Sequence, residues 1–129
     1  MLGNYDLVAF VMTNDAVRSK EFFAGKLGLR LIEEEEFAIT LDAHGVMLKL
    51  VKMKNHVPTS HTVLGWEVPD IAVTVGEMAG AGVVFEKYDF LEQDELGIWS
   101  AGERAAKIAW FKDPDGNVLS ISQHETAGE

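Results

Sequence analysis

The sequence of 129 residues predicts an α+β fold made of two consecutive βαβββ modules. Three observations lead to this prediction. The same order of strands and helix occurs twice along the chain. Each helix begins at an Asp or Asn that can cap it, and glycines follow its end. Each half closes with a hairpin turn in the same place, at residues 42–45 (DAHG) and 113–116 (DPDG).

The first module is predicted over residues 5–53 and contains one helix and four strands. The helix runs from about Asp15 to Lys26, with Asn14 or Asp15 as its N-cap and with Gly25 and Gly28 at its far end. The strands are LVAFVMT, LGLRLI, FAITL and GVMLKLVK.

Residues 54–61 (KNHVPTSH) contain a proline and few apolar residues, so they are predicted to link the modules. The second module is predicted over residues 62–124, with a helix from Asp70 to Ala81 that buries Ile71, Val75 and Met78. Its strands are VLGWEV, GVVFEK, KIAWF and GNVLSIS. Residues 88–107 lack clear periodicity and are expected to form a long loop, in which Trp99 covers a ligand or simply packs.

Composition limits the function. One domain is expected from this length, and 47% of the residues are hydrophobic. A net charge of −10 has the wrong sign for holding a phosphate backbone, so nucleic acid is not an expected partner. The chain has no cysteine, no apolar run of membrane-spanning length and no secretory signal in residues 1–12, so we expect a cytoplasmic protein that does not enter a membrane.

Alternation along the strands sorts the side chains by face. In the last strand Ser120 and Ser122 share one face, and Leu119 and Ile121 share the other. Trp66 is expected in the core beneath the second helix. Alternation leaves open which of Trp110 and Phe111 points away from the core. Within each of four strands, three residues share one face. These sets are Val8, Phe10 and Met12; Met47, Lys49 and Val51; Val63, Gly65 and Glu67; and Val118, Ser120 and Ser122.

The duplicated pattern resembles the vicinal oxygen chelate superfamily, the group of glyoxalases, bleomycin resistance proteins and extradiol dioxygenases. The resemblance covers nearly the whole chain, and its most specific motif is WFKDPDGNVLSIS at residues 110–122. It implies a curved, cup-shaped mixed sheet, which is often dimeric, with the serine face turned inward. A homodimer is therefore expected.

The resemblance also implies where metal ligands would stand in the metal-using members. The four positions fall on Val8, Lys49, Val63 and Ser120, two hydrocarbons, a cation and a weak hydroxyl. None is an ordinary ligand for a divalent metal. We therefore expect no metal and no cofactor. His61, two residues before Val63, is the residue that could support a displaced metal site, whereas His44, His56 and His124 are expected to be ordinary surface histidines.

The leading hypothesis is a metal-free protein that binds a small, partly apolar organic molecule, with sequestration of an antibiotic or metabolite as one implied use. Lys49 and Glu67 are expected to pair with each other, with water or with the ligand. The ligand-binding residues expected are Val8, Phe10, Met47, Lys49, Val63, Glu67, Trp99, Ser120 and Ser122.

Two alternatives stay open. One is an enzyme, either a lyase or dioxygenase with a metal at His61 or a metal-free isomerase that uses Lys49 or Glu67. The other is a domain whose cup is filled by its own side chains and which acts only through protein contacts.

Overall fold

The computed structural model describes residues 1–102 and 106–124. The chain divides into two units, Met1–Pro58 and Thr59–Glu129, and the boundary falls inside residues 54–61. Each unit contains a four-stranded mixed sheet and a helical segment that follows its first strand, and the first unit also has a short 3-10 helix at Leu2–Asn4, so the predicted α+β class is confirmed. Within the described residues, the structure has no helix with the length and apolar character needed to cross a membrane.

The first unit has the strand order β1-β4-β3-β2, in which β1 and β4 are parallel and the other pairs antiparallel. A helix, α1, follows β1 and covers one face of the sheet, where Val11, Leu48 and Leu50 are buried. The elements are β1 (Val8–Thr13), α1 (Ala16–Lys20), β2 (Arg30–Glu34), β3 (Ala38–Ala43) and β4 (Val46–Lys52).

Local chemistry explains where α1 begins and ends. The Asp15 carboxylate accepts a hydrogen bond from the Arg18 backbone N–H at 3.2 Å, and the Thr13 hydroxyl accepts one from the Asp15 N–H at 3.1 Å. The helix continues as a π-helical turn over Glu21–Lys26, closed by a hydrogen bond from Leu27 N–H to the Phe22 carbonyl at 2.9 Å. The predicted helix is therefore present, with its second half more loosely wound than an α-helix.

The second unit has the order β5-β8-β7-β6, with β5 and β8 parallel. Asp70 caps its helix, and the Gln123 side chain accepts a hydrogen bond from the Ile71 N–H at 2.9 Å. Phe111, Leu119 and Ile121 are buried on the face of the sheet that the helix covers. The elements are β5 (Thr62–Glu67), α2 (Ile71–Gly80), β6 (Trp99–Ser100), β7 (Lys107–Lys112) and β8 (Val118–Gln123).

The predicted strand GVVFEK is wrong. Residues 82–87 form only one isolated bridge, between Phe85 and Phe111, with a hydrogen bond from the Glu86 N–H to the Trp110 carbonyl. The edge position belongs instead to β6, which contains Trp99 and pairs with β7, so Trp99 lies in a strand and not in a loop. The Gln93 side chain holds the segment between Phe85 and β6. It accepts a hydrogen bond from the Tyr88 N–H and donates to the carbonyls of Glu86 and Gly97, so these backbone groups bond to a side chain and not to a neighbouring strand.

The hairpin between β7 and β8 has the predicted turn. The Gly116 N–H donates to the Asp113 carbonyl at 2.9 Å, and Gly116 has a φ of 89°. The Asp113 carboxylate lies inside the turn and accepts hydrogen bonds from the N–H groups of Asp115 and Asn117 and from the Asn117 side chain. Burial raises the pKa of this carboxyl above its ordinary 3.8, although the bonds from Asn117 act in the opposite direction.

This raised pKa predicts a specific pH dependence. The folded state binds the Asp113 proton more readily than the unfolded state, so Asp113 adds stability as the pH falls through its folded pKa towards 3.8. The stability of the wild type relative to Asp113→Asn should therefore increase over this window as the solution is acidified. Urea unfolding of both proteins between pH 7 and pH 4 measures the difference. Parallel curves would show that Asp113 has the same pKa in both states.

Candidate functional site

In the first unit, four of the residues expected to bind a ligand lie together on the face of the sheet opposite α1. The strand register places Val8 beside Met47 and Phe10 beside Lys49. Val8, Phe10 and Met47 are 39%, 59% and 43% exposed, whereas Val11 and Leu48 on the other face are at most 3% exposed. We call these four residues the first-unit patch. Its three large apolar side chains remain in contact with solvent around one cation.

In the second unit, the face opposite α2 carries the predicted serines. Register pairs Gly65 with Ser120 and Glu67 with Ser122, and these four residues define the serine face. Val63 is 43% exposed and lies at an irregularity in the pairing, between Thr62 and Leu64. Trp66 pairs with Ile121 on the opposite, helix-covered face and stacks on Phe111 at a centroid distance of 6.4 Å, so it lies on the predicted face, although its side chain is half-buried and not enclosed in the core.

Trp110 lies on the serine face, which the sequence left open. It is in register with Ser120, and its neighbour Phe111 is fully buried on the other face. The ring of Trp99 lies 6.1 Å from that of Trp110, and the ring of Tyr88 lies 5.7 Å from it in an edge-to-face arrangement. Phe90 extends the group, at 5.4 Å from Tyr88. These four side chains form an aromatic cluster beside the two serines.

Tyr88 adds a polar group to the aromatic cluster. Burial raises the pKa of its hydroxyl, and the nearby Glu86 raises it further, while Lys112 lowers it. The phenol therefore stays protonated at neutral pH, so it can donate a hydrogen bond.

Lys49 and Glu67 were expected to pair with each other, with water or with the ligand, but each contacts another side chain of its own unit. The Lys49 Nζ atom lies 3.7 Å from the Glu35 carboxylate, and both side chains are partly exposed. Glu67 contacts the imidazole of His124. An exposed ion pair such as Lys49–Glu35 contributes little stability, typically below about 1 kcal/mol.

The histidines lie in different places. His61 is exposed, with its Nε2 atom 3.5 Å from the Thr59 hydroxyl. His44 occupies the first hairpin turn with a positive φ of 50°, and the His56 backbone bonds to the Asn14 side chain. Over residues 1–102 and 106–124, no three His, Asp or Glu side chains are grouped to hold a metal ion.

Sequence reasoning missed Trp110 and Tyr88 as candidate site residues. For Trp110 the signal was available. The DPDG turn places Lys112 opposite Val118, and moving two residues away from the turn on each strand puts Trp110 opposite Ser120. Tyr88 could not be placed in this way, since it follows the irregular segment that a wrong strand had been assigned to.

The comparisons with known proteins agree on the fold. The sequence model of the Glyoxalase/Bleomycin resistance protein/Dioxygenase superfamily matches residues 6–121. A protein of the same description from Alicyclobacillus acidocaldarius has a TM-score of 0.72 at 18% identity, covering 95% of this chain and 93% of its own. TnmS3, an antibiotic binding protein from Streptomyces sp. CB03234, has a TM-score of 0.70 at 20% identity, covering 93% of this chain and 95% of its own.

A third structure, from Nocardioides and also described as a glyoxalase/bleomycin resistance protein/dioxygenase, has a TM-score of 0.68 at 16% identity, covering 97% of this chain and 86% of its own. At these identities the likeness concerns the fold. No protein of curated function matches the chain in sequence. The family model spans both units, including the two hairpins and both helices, and the resemblance seen in the sequence is confirmed. The chain belongs to the glyoxalase/bleomycin resistance protein/dioxygenase superfamily.

Proposed function

We propose that this protein binds a small organic molecule with a planar aromatic part, without a metal, and sequesters it. The observation that carries the proposal is the aromatic cluster on the serine face, where Trp110 and Trp99 lie beside Ser120 and Ser122. Tryptophan rings offer large contact areas to another ring, and hydroxyls next to them can fix its orientation. The description of TnmS3 as an antibiotic binding protein supports an antibiotic or a similar metabolite as the ligand.

The first-unit patch is a second candidate surface for binding a small molecule. Val8, Phe10 and Met47 present apolar surface, and Lys49 presents a cation whose partner Glu35 is partly exposed. Small-molecule sites commonly combine apolar area with a few polar groups of this kind. We propose the first-unit patch, and Val63 and Glu67 of the second unit, as further ligand-binding residues.

A ligand screen tests the proposal. Planar aromatic compounds that raise the melting temperature or change tryptophan fluorescence should be measured by calorimetry against wild type and Trp110→Ala. Loss of this ring should weaken binding by about 2 kcal/mol, or roughly 30-fold, the effect of removing a central aromatic contact. Trp66→Phe is the matched control, because Trp66 lies on the other face of the same sheet. Ligands that bind Trp110→Ala as tightly as wild type would place the site elsewhere.

In the same screen, the Lys49→Met variant shows whether Lys49 contacts the ligand or only stabilises the fold. If Lys49 contacts the ligand, the substitution should weaken binding by about 1 to 3 kcal/mol, because a polar partner on the ligand is left unsatisfied. If Lys49 only pairs with Glu35, the melting temperature should fall slightly and the affinity should be unchanged. Glu35→Gln provides the control, since it removes the same ion pair and leaves the cation in place.

Metal content is a further prediction. Protein produced in medium supplemented with divalent metals and purified without chelator should carry far less than one metal per chain, because the family's ligand positions hold Val8, Lys49, Val63 and Ser120. Elemental analysis measures this. About one Zn, Ni, Fe or Mn per chain would favour the second candidate, a glyoxalase-like lyase or dioxygenase with a metal built on other ligands. The contact between Glu67 and His124 is the observation that keeps this candidate open.

The proposal also includes the homodimer expected from the sequence, which static light scattering of the purified chain tests.

A further inference from the structure

A depression of about 270 Å³ lies in the first unit, on the same face of the sheet as the first-unit patch. Its apolar lining includes Val8, Met47 and Ile32, and its polar lining includes Asp6, Asp42 and Thr40. Register joins three of these residues, because Met47 pairs with Val8 on one side and with Asp42 on the other. A space of this size can hold several water molecules or a small organic molecule.

Thr40 is the unusual residue in this lining. Its side chain is 3% exposed, and its hydroxyl is buried with no hydrogen-bond partner in the part of the chain that the structure describes. Lys49 is its register partner on β4, but the Lys49 ammonium is directed to Glu35. Burying a hydroxyl without a hydrogen-bond partner costs free energy, unless a bound water or ligand supplies that partner. A molecule that enters the depression and reaches the Thr40 hydroxyl could supply this missing partner.

The charges indicate which kind of group it is. Asp6 and Asp42 contribute two carboxylates, and the described lining contains no Lys or Arg. One Asp42 oxygen accepts a hydrogen bond from the Gly45 N–H at 3.1 Å. The other lies 3.8 Å from a guanidinium nitrogen of Arg30, whose side chain is 73% exposed, so this contact is loose. Two carboxylates and a hydroxyl are all acceptors for the N–H groups of a cation.

We propose that this depression binds the ammonium group of a small organic amine, with the carbon chain against Val8, Ile32 and Met47. The ammonium donates hydrogen bonds to Asp42, Thr40 and Asp6. This inference rests on the proposed function, because it takes the first-unit patch as a ligand-binding surface, and it adds the chemical class of a molecule that this surface accepts. The net charge of −10 favours the approach of such a cation.

The test uses n-butylammonium, n-butanol and n-butyrate as probes, which share a carbon chain and differ in charge. Titration at constant ionic strength and pH 7, followed by amide nuclear magnetic resonance, should show saturable shifts at Leu41, Asp42 and Gly45 with n-butylammonium. Butanol should bind more weakly, and butyrate should give no saturable shift. Asp42→Asn should weaken n-butylammonium about tenfold, the usual effect of losing a hydrogen bond to a charged group.

Two further variants sharpen the result. Thr40→Val keeps the shape and removes the hydroxyl, so it should weaken n-butylammonium and raise the melting temperature. Arg30→Gln removes a competing cation, so it should strengthen binding. Glu77→Gln is the matched control, because it makes the same change of charge on the exposed surface of α2 in the second unit.

Three outcomes would overturn the inference. They are equal binding of butanol and butylammonium, an equal loss of affinity in Glu77→Gln and Asp42→Asn, and the absence of a saturable shift at the three amides. Asp42→Asn keeps an acceptor for the Gly45 N–H. The amide spectrum of each variant shows whether the variant is folded. If Asp42→Asn is not folded, Asp6→Asn is used in its place. The amine probes report on the first unit, whereas Trp110→Ala reports on the second, so the failure of either proposal is seen separately.

Discussion

Replacing Phe111 by alanine is expected to lower the free energy of unfolding by about 3 to 5 kcal/mol. Phe111 is completely buried in the second unit, on the face of the sheet that α2 covers. Its ring stacks on Trp66 and meets Phe85 edge to face at 5.7 Å. The substitution therefore removes the transfer energy of a large ring and leaves a cavity between two other aromatic side chains. Urea unfolding followed by circular dichroism measures the change.

Trp110→Ala is the matched control for this variant, because the two residues are neighbours on β7 and point to opposite faces. Its effect on the free energy of unfolding should be clearly smaller than that of Phe111→Ala, since Trp110 is only half-buried. If both variants lost the same stability, the serine face would be part of the core, and its assignment as an open surface would be wrong.

Replacing Phe23 by alanine is expected to have an effect of similar size, about 3 to 5 kcal/mol, in the first unit. Phe23 is fully buried in the π-helical turn that follows α1, and its ring meets that of Phe22 edge to face at 5.3 Å. Helix α1 contacts β3 and β4, whose inward residues Leu41 and Leu50 are also completely buried. The same urea measurement applies.

Val17→Ala gives the comparison for Phe23, because Val17 lies in α1 and is mostly exposed. Its replacement should change the free energy of unfolding by less than about 0.5 kcal/mol, as is usual on the surface. A loss below about 1 kcal/mol for Phe23→Ala would mean that the helical segment relaxes into the space that the ring had filled.

The parts of the fold that could be predicted depend on short-range signals. Asp15 and Asp70 cap helices by bonding to an N–H three residues on, and the DPDG turn closes through Gly116. Alternation along β4 and β8 placed Met47 with Lys49 and Ser120 with Ser122, because side chains on a strand repeat every two residues. These interactions join residues that are close in the sequence, so they can be predicted from it.

The parts that could not be predicted depend on distant partners. Residues 82–87 have the composition of a strand, but Phe85 finds only one partner on β7, and Gln93 holds the following segment through its side chain. Which carboxylate faces Lys49 depends on the position of the turn before β3, so Glu35 could not be chosen from the run of four glutamates. The depression around Thr40 depends on packing between all four strands of the first unit, the residues before β1 and the turn between β3 and β4. The ligand-binding roles of the site residues stay predictions.

The pairing of the first and last strands in each unit has a consequence for how the chain folds. The hairpins β3–β4 and β7–β8 join strands that are adjacent in sequence, whereas the parallel ladders join Val8 to Met47 and Thr62 to Val118. Closing a long loop loses more chain entropy than closing a tight turn, and contacts between distant residues slow folding. We expect each hairpin to form early and each parallel ladder to form late. Substitutions in the DPDG turn should then slow folding, and substitutions in β1 or β5 should mainly speed unfolding.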